Sequence, residues 1–291
     1  NGVVVMILIT CVLASFVTQS ASQKMVVTDN MISNEPSNNI DDERILIPVK
    51  YPECADSLLG LALLIRNPKL KRELIALNVV YDDADVATNQ AKGKRLLEKL
   101  SRDAAASEVP VTTQVRVAVN IANGIKHAFQ EFNASEIIIG MHTHQEVSTK
   151  FWGEFHQSLF NGINCQIIMA RITEPLNTIR RIQVAVPSRA QFEPGFHRWV
   201  ERLARISALL ECKIQFHGRQ DTLDLIQEYL VNKHPDVRVE YTEMEHWNML
   251  PQLAASINED HMFVIVTART GTVSYKNAQE RLPEEIKQFF S

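Results

Sequence analysis

The stretch GMHTHQEVSTKFWGE, residues 140–154, follows the apolar run SEIIIG. Its two glycines, Gly140 and Gly153, stand thirteen positions apart, as in a turn that cradles phosphate on backbone amides at a helix N-terminus. The residues around them carry a different chemistry. Thr143, His142, His144 and Glu154 fill places where a phosphate favours small or neutral groups. His142, His144 and Lys150 could supply cations or donors. The His-Thr-His run also offers two metal ligands, but alternate residues on an irregular loop bring no third with them. The corresponding turn later in the chain, TARTGTVSY, keeps only Gly271. A second cluster, Glu243, Glu245, His246 and Trp247, has the residue types for acid–base work, yet its spacing places no partner beside it and a solvated loop accounts for it. There is no nucleophile elbow, Walker loop or His-Glu metal motif, and we expect no enzyme.

The elements that would hold these residues alternate between strand and helix. RILIPV (44–49) is a short apolar run suited to a strand buried on both faces, and ELIALNVV (73–80), VTTQVRVAV (111–119), SEIIIG (135–140) and NCQIIMARI (164–172) read as the further strands. Between them lie a helix over 56–65 with Asp56 or Ser57 as cap, one over 89–106, one behind Asn120 as cap, and a short one over 151–162. The same order then repeats: RRIQVAV, a helix lined by Phe196, Trp199, Val200, Leu203, Ile206 and Leu210, CKIQFHG, a helix around LDLIQEYL, DVRVEYTE, a helix around MLPQLAASI, and HMFVIVTA. First strands begin near 44 and 181 and fourth strands near 136 and 262, so the second copy is eleven residues shorter between them. Its last stretch, LPEEIKQFF, offers no fifth apolar run, and four parallel strands are expected against five in the first copy. The pattern predicts an α/β fold: two tandem, Rossmann-like parallel-sheet domains.

The bulk numbers narrow the partners. With 291 residues, 45% hydrophobic and 22% charged, the chain can bury sizeable cores. A net charge of -4 without a dense Lys/Arg run argues against nucleic acid or an anionic membrane surface as the main partner. Cys11, Cys54, Cys165 and Cys212 stand singly, which suits a reducing compartment and no zinc site.

The opening NGVVVMILITCVLASFVTQSASQ has no charge before Lys24. Gly2 to Ala21 would make about 30 Å of helix, roughly the hydrocarbon thickness of a bilayer. Three readings compete: the end of a transmembrane helix, a signal peptide (though no basic n-region precedes it) and a buried soluble helix. Uniform apolarity favours lipid, and we expect the chain to continue a longer protein. Residues 24–43 are polar, Asn-rich and aperiodic, as in a linker. The expected organisation is 1–23 membrane helix end, 24–43 linker, 44–172 first domain and 173–291 second domain.

The strand with Pro48, the fourth strand ending in Gly140 and the second glycine, Gly153, together resemble the universal stress protein domain, here in tandem. PLNTIRRIQVAVPSRAQFEPGFHRWVERL, 175–203, resembles the cytoplasmic tail of bacterial Na+/H+ antiporters of the monovalent cation:proton antiporter-2 family. MILITCVLASFVTQSASQK resembles the last membrane helix before such tails. The resemblance implies a regulatory cytoplasmic domain of an inner-membrane Na+ or K+/proton antiporter, with residues 24–291 on the cytoplasmic side. Its partners would be its own membrane transport domain and a second copy in a homodimer, the ions being handled in the membrane part. It also implies where an adenine nucleotide would bind. In the family's pattern Gly140 and Gly153 keep two glycine places, Thr143 takes a third and Glu154 takes the hydroxyl place; Lys50 replaces the acid after the first strand. Thr143 would strain a positive φ. Glu154, one like charge at about 5 Å in an effective dielectric of roughly 20, costs on the order of 3 kcal/mol, about a hundredfold in affinity. The loop is therefore expected to be a remnant without cofactor. A soluble tandem stress protein binding an adenine nucleotide is the alternative.

Overall fold

The computed structural model describes residues 43–141, 155, 158–160 and 162–282. The apolar opening and linker, and with them the expected membrane helix, lie outside the described residues. Among the described residues no helix is long and apolar enough to cross a membrane.

Among the described residues, nine strands form two wholly parallel sheets. The first contains β1 (Ile45–Pro48), β2 (Leu74–Tyr81), β3 (Val111–Ala118), β4 (Glu136–Gly140) and β5 (Gln166–Ala170) in the order β3-β2-β1-β4-β5. The second contains β6 (Arg181–Ala185), β7 (Lys213–Gly218), β8 (Val239–Glu243) and β9 (His261–Ile265) in the order β8-β7-β6-β9. The two orders match strand for strand, and among the described residues nothing pairs beyond β9.

The inner strands β1, β2 and β4 are largely apolar without alternation because both faces of their sheet are covered, whereas the edge strands β3 and β8 mix polar residues and are partly exposed. Successive residues point to opposite faces, so Ile45 and Ile47 enter one core while Leu46 enters another. The helices are α1 (Pro52–Ile65), α2 (Val86–Ala105), α3 (Ile121–Glu131), α4 (Phe196–Leu209), α5 (Gln220–Lys233) and α6 (Leu250–Ala255). Asn120 caps α3 as expected, its side chain accepting from the Asn123 amide at 3.2 Å. The start of α1 differs from expectation. It begins at Pro52 behind Tyr51, a turn before Asp56 and Ser57, because proline suits the first helical turn, where its missing N–H leaves no bond unmade. Helix α2 likewise begins at Val86 rather than Asn89. Of the short helix expected over 151–162, residues 158–160 are helical and most of the rest lies outside the described residues.

Gly93, in the middle of α2, shows how tightly helix meets sheet. A Cβ there would overlap the side-chain oxygen of Asn78 on β2, whose amide nitrogen donates to the Val49 carbonyl at 2.7 Å. The helix gives up roughly 0.5–1 kcal/mol of propensity relative to alanine to make that approach.

The two units share one core. A single cluster joins Ile47, Leu58 and Ile65 of the first unit to Val200, Ile206 and Phe216 of the second, where α1 lies against α4. The opposite face of the first sheet has its own well-filled core around Leu46, Leu77 and Ile137. That of the second sheet has, among the described residues, a smaller core of Ala185, Met244, Leu250 and Leu282 with Phe263 and Ile265 against it.

Candidate functional site

The carboxyl ends of the strands are where open α/β sheets place ligands, and the expected phosphate turn leaves β4 there. Gly140 ends β4 with no left-handed backbone. It is small because α1 passes over it: a Cβ would lie 3.2 Å from Leu58 Cδ1 and 3.5 Å from Cys54 Sγ. Packing thus favours a small residue here. Thr143, Gly153 and Glu154, with His142, His144 and Lys150, lie outside the described residues. Lys50 is exposed at the end of β1, its ammonium 5.0 Å from the centre of the Tyr51 ring. It brings a cation where the resemblance implied an acid.

The corresponding turn of the second unit is held by protein groups. Gly271 takes φ 88°, the left-handed conformation that glycine adopts freely. Two residues earlier, the Arg269 guanidinium reaches the first unit and donates to the carbonyls of Phe160 (3.2 Å), Ile163 and Cys165 (2.6 Å). Ser274 donates both its amide (2.8 Å) and its hydroxyl to one oxygen of Glu193. Gln279 accepts from the Ala268 amide at 3.1 Å. This turn joins the two units and takes a carboxylate of its own chain on the Ser274 amide. Burial pushes the neighbouring Cys165 thiol up to about 12 against the pull of Arg269 and Arg198, which favours the protonated thiol.

Glu243, Glu245 and His246 line an open groove of about 520 Å³ with Ser188, Arg219, Gln220, Asp221 and Lys276. The structure therefore brings to this cluster partners that spacing did not place, from the ends of β6 and β7 and the turn after β9. Trp247 packs against the smaller core instead. The charges are solvated: the Arg219 and Asp221 side chains, 3.3 Å apart, are 57% and 52% exposed. No group of three or more potential metal ligands exists among the described residues.

The densest polar constellation lies at the opposite, amino ends of β1 and β4. Glu136 opens β4 and is fully buried; Arg202 of α4 and Glu43, just before β1, are 3% and 4% exposed. Arg202 grips Glu136 with two nitrogens, Nε at 3.1 and 3.2 Å and Nη2 at 2.7 Å, while its Nη1 donates to Glu43 at 2.7 Å. Arg205 donates to both oxygens of Glu43 (3.0 and 2.9 Å) and to the Ile65 carbonyl at 3.2 Å. Arg198 donates to the Ser135 carbonyl at 3.1 Å. Farther along, Glu201 binds Arg205 (2.9 Å), the Tyr229 hydroxyl (3.0 Å) and His234 (2.6 Å). Burial works against the charge on Arg202, but Glu136 and Glu43 outweigh it and hold its pKa above the usual value. Burial also raises Glu201, yet His234, Arg205 and Tyr229 more than compensate and hold it at about 2. This constellation has little room for substrate; it joins units.

The expected site thus contributes Gly140 alone to the described structure, and the buried constellation was not anticipated. The sequence did carry a signal for it. Arg198, Arg202 and Arg205 stand at i, i+4 and i+7 on a helix otherwise read for its apolar face, and an acid opens the apolar run EIIIG.

Known proteins bear on the whole arrangement. Residues 43–171 match the Universal stress protein family. The chain is 20% identical over 229 residues to the Na(+)/H(+) antiporter NhaS5 of Synechocystis sp., a match covering 72% of this chain and 33% of the antiporter. The matched chain spans about a third of that relative's length. Among solved structures, the cytoplasmic domain of a prokaryotic cation chloride cotransporter superposes with a TM-score of 0.54 at 9% identity, covering 84% of this chain and 91% of that one. A Pseudomonas aeruginosa protein assigned to the universal stress proteins gives 0.52 at 16% identity, covering 82% and 87%. The chain shares its fold with these two proteins, and its first unit is the part that matches the Universal stress protein family.

Proposed function

We propose that residues 24–291 form the regulatory cytoplasmic part of a secondary-active Na+ or K+/proton antiporter of a bacterial inner membrane, with residues 1–23 as the end of its last membrane helix. The observation that carries the reading is the similarity to an Na+/H+ antiporter across 229 residues, which reaches beyond the stress-protein domain into the second unit. The likeness in fold to a transporter's cytoplasmic domain supports it. Cation and proton exchange belongs to a membrane domain outside this chain, where ionisable groups near the midplane bind the ions in turn. The tail biases that domain between its states by differential contact, as part of a homodimer, and catalyses nothing itself.

The deciding experiment expresses the whole coding sequence and measures cation-driven proton movement in everted membrane vesicles, with and without residues 24–291. Removal should leave exchange in place and shift its dependence on pH or cation concentration. Identical profiles would end the regulatory role, and a coding sequence without upstream apolar spans would end the antiporter reading.

The alternative, a soluble tandem protein binding an adenine nucleotide, draws on the same family match. Calorimetry with Mg-ATP separates the two. Weak or absent binding is expected from a turn with Thr143 and Glu154 and from Lys50 beside it. A Kd of about 10 µM or tighter, roughly −7 kcal/mol, would favour the alternative.

A further inference from the structure

The buried constellation has one member that belongs to neither the body of the first unit nor that of the second. Glu43 stands immediately before β1, where the chain enters the fold. One residue later the backbone is firmly part of the first unit. The Arg44 amide donates to Ser135 Oγ at 3.1 Å, the Ser135 amide donates back to the Arg44 carbonyl at 2.8 Å, and the Arg44 guanidinium donates to the Phe132 carbonyl at 3.1 Å. Glu43 itself is turned toward the second unit. Its carboxylate accepts from Arg202 and Arg205 of α4 and from the Asn67 amide at 3.0 Å in the turn after α1. The residue that ends the entering segment is thus the one that bridges the helices of both units.

The charges give this bridge its leverage. Glu43 and Glu136 are met by Arg202 and Arg205 where Glu43, Glu136 and Arg202 are nearly inaccessible and Arg205 is mostly covered. If Glu43 is drawn out, Arg202 keeps Glu136 and Arg205 keeps Glu201, but Nη1 of each arginine loses the carboxylate that the two share. Guanidinium donors left so are met again by admitting water, which means parting α4 from the amino ends of β1 and β4. The α1–α4 contact that carries the shared core lies alongside. A small displacement of the chain before β1 therefore has a large effect on how the units sit together.

We propose that Glu43 is a latch: a positioning residue that couples the chain entering β1 to the contact between the two units. Seated, it holds them as one body; withdrawn, it frees α4 from the first unit while both sheets stay intact. Combined with the function proposed above, it is the point at which movement of a membrane helix reaches the cytoplasmic units, but the latch itself does not depend on what precedes residue 43.

Hydrogen exchange on the full chain tests this, comparing Glu43→Gln, which keeps shape and removes charge, with Glu240→Gln, which removes a carboxylate from an exposed ion-pair cluster on the second sheet. Glu43→Gln should speed exchange about tenfold or more in 196–209 and 132–136 while β2 and β7 remain protected as before. Glu240→Gln should leave both segments unchanged. Pairing Glu43→Gln with Arg205→Met, which removes one of the two guanidinium groups that lose the carboxylate, should restore part of the lost protection. Unchanged exchange in 196–209 would overturn the proposal. So would equal acceleration throughout both sheets, because that reports ordinary loss of stability rather than release of a joint. Vesicle assays of the whole transporter carrying Glu43→Gln address the antiporter reading separately: the exchange result stands whichever way transport responds.

Discussion

Two clusters of arginine, glutamate and histidine sit at opposite ends of the strands, and similar side chains behave differently in each. At the amino ends of β1 and β4, Glu43, Glu136 and Arg202 are nearly inaccessible and every charge is met by forked or paired hydrogen bonds. At the carboxyl ends of β6, β7 and β8, Arg219, Asp221, Glu243, Glu245 and His246 surround a groove open to water. Exposed pairs gain little, because water already solvates both charges. A buried pair is not a large net gain either, since desolvation offsets its attraction, but removing one member leaves a bare charge in the interior. The amino-end cluster therefore specifies one arrangement of the two units, whereas the carboxyl-end cluster leaves its side chains free.

The largest break in that comparison comes from Arg202→Met. It strands the fully buried Glu136 carboxylate and removes one of the two cations on Glu43. We expect a loss of about 3–5 kcal/mol, read as a fall in the urea midpoint. Adding Glu136→Gln should recover part of it, with a coupling of about 1–3 kcal/mol in the double-mutant cycle. A loss below about 1 kcal/mol from Arg202→Met would show that water reaches the constellation.

How much of this was legible follows from what each pattern encodes. The inner strands and the tandem repeat were readable because a strand buried on both faces is largely apolar, as EIIIG is, while the order of the strands in each sheet was not read. The helix starts were misplaced where the capping signal was sought in a polar side chain, while α1 uses Pro52. The site was harder. A turn read for ligand chemistry begins at Gly140, where a Cβ would also crowd Leu58 of α1, and in a single sequence the two reasons for a glycine look alike. Arg202, Glu43 and Glu136 lie 66 to 159 residues apart in their pairings, and no local pattern reports contacts that only the meeting of two units creates.

The second break is at the sheet–helix contact. Alanine normally improves a helix by about 1 kcal/mol over glycine. Gly93→Ala should instead destabilise by about 1–3 kcal/mol, because the new methyl displaces Asn78 from its bond to the Val49 carbonyl. Removing the obstacle as well, in Gly93→Ala with Asn78→Ala, should be less damaging than the sum of the two single changes. Simple additivity would place the strain elsewhere.

A smaller effect sharpens the comparison through pH. Burial lowers the pKa of His197, in van der Waals reach of Phe196 and Tyr229, and of His217, whose Nε2 lies 2.7 Å from Gln183 Oε1. Above pH 6.5 both are neutral folded or unfolded and contribute no slope. As pH falls through 6.5 the unfolded chain takes up protons that the native state resists, so stability drops by at most about 1.4 kcal/mol per pH unit for each histidine until its lowered native value is reached. Glu201 acts later. Held at about 2, it contributes stability above its ordinary value of 4.5 and loses it as pH falls from there toward 2. Urea midpoints from pH 8 to pH 5 should decline for the wild type and decline less for His197→Phe; equal slopes would show that His197 protonates without hindrance in the native state.

The smallest expected effect belongs to the open groove. Arg219 pairs with Asp221 two residues along its own helix end, at 3.3 Å, with both side chains more than half exposed. Glu243 at the end of β8 is exposed as well and lines the groove with Lys276 and Ser188 on neighbouring turns. Neither arrangement has displaced the water that screens it, so Arg219→Ala and Glu243→Gln should each change stability by no more than about 0.5 kcal/mol. Raising the salt from 0.05 to 0.5 M should reduce even that difference, since exposed charges are screened over a Debye length of about 10 Å at 0.1 M and less above it. The buried cluster should respond to the same salt change hardly at all. A groove substitution costing 2 kcal/mol or more would mean that these side chains are held in one geometry, as in a built binding site rather than a solvated edge, and the contrast between the two ends of the strands would fail.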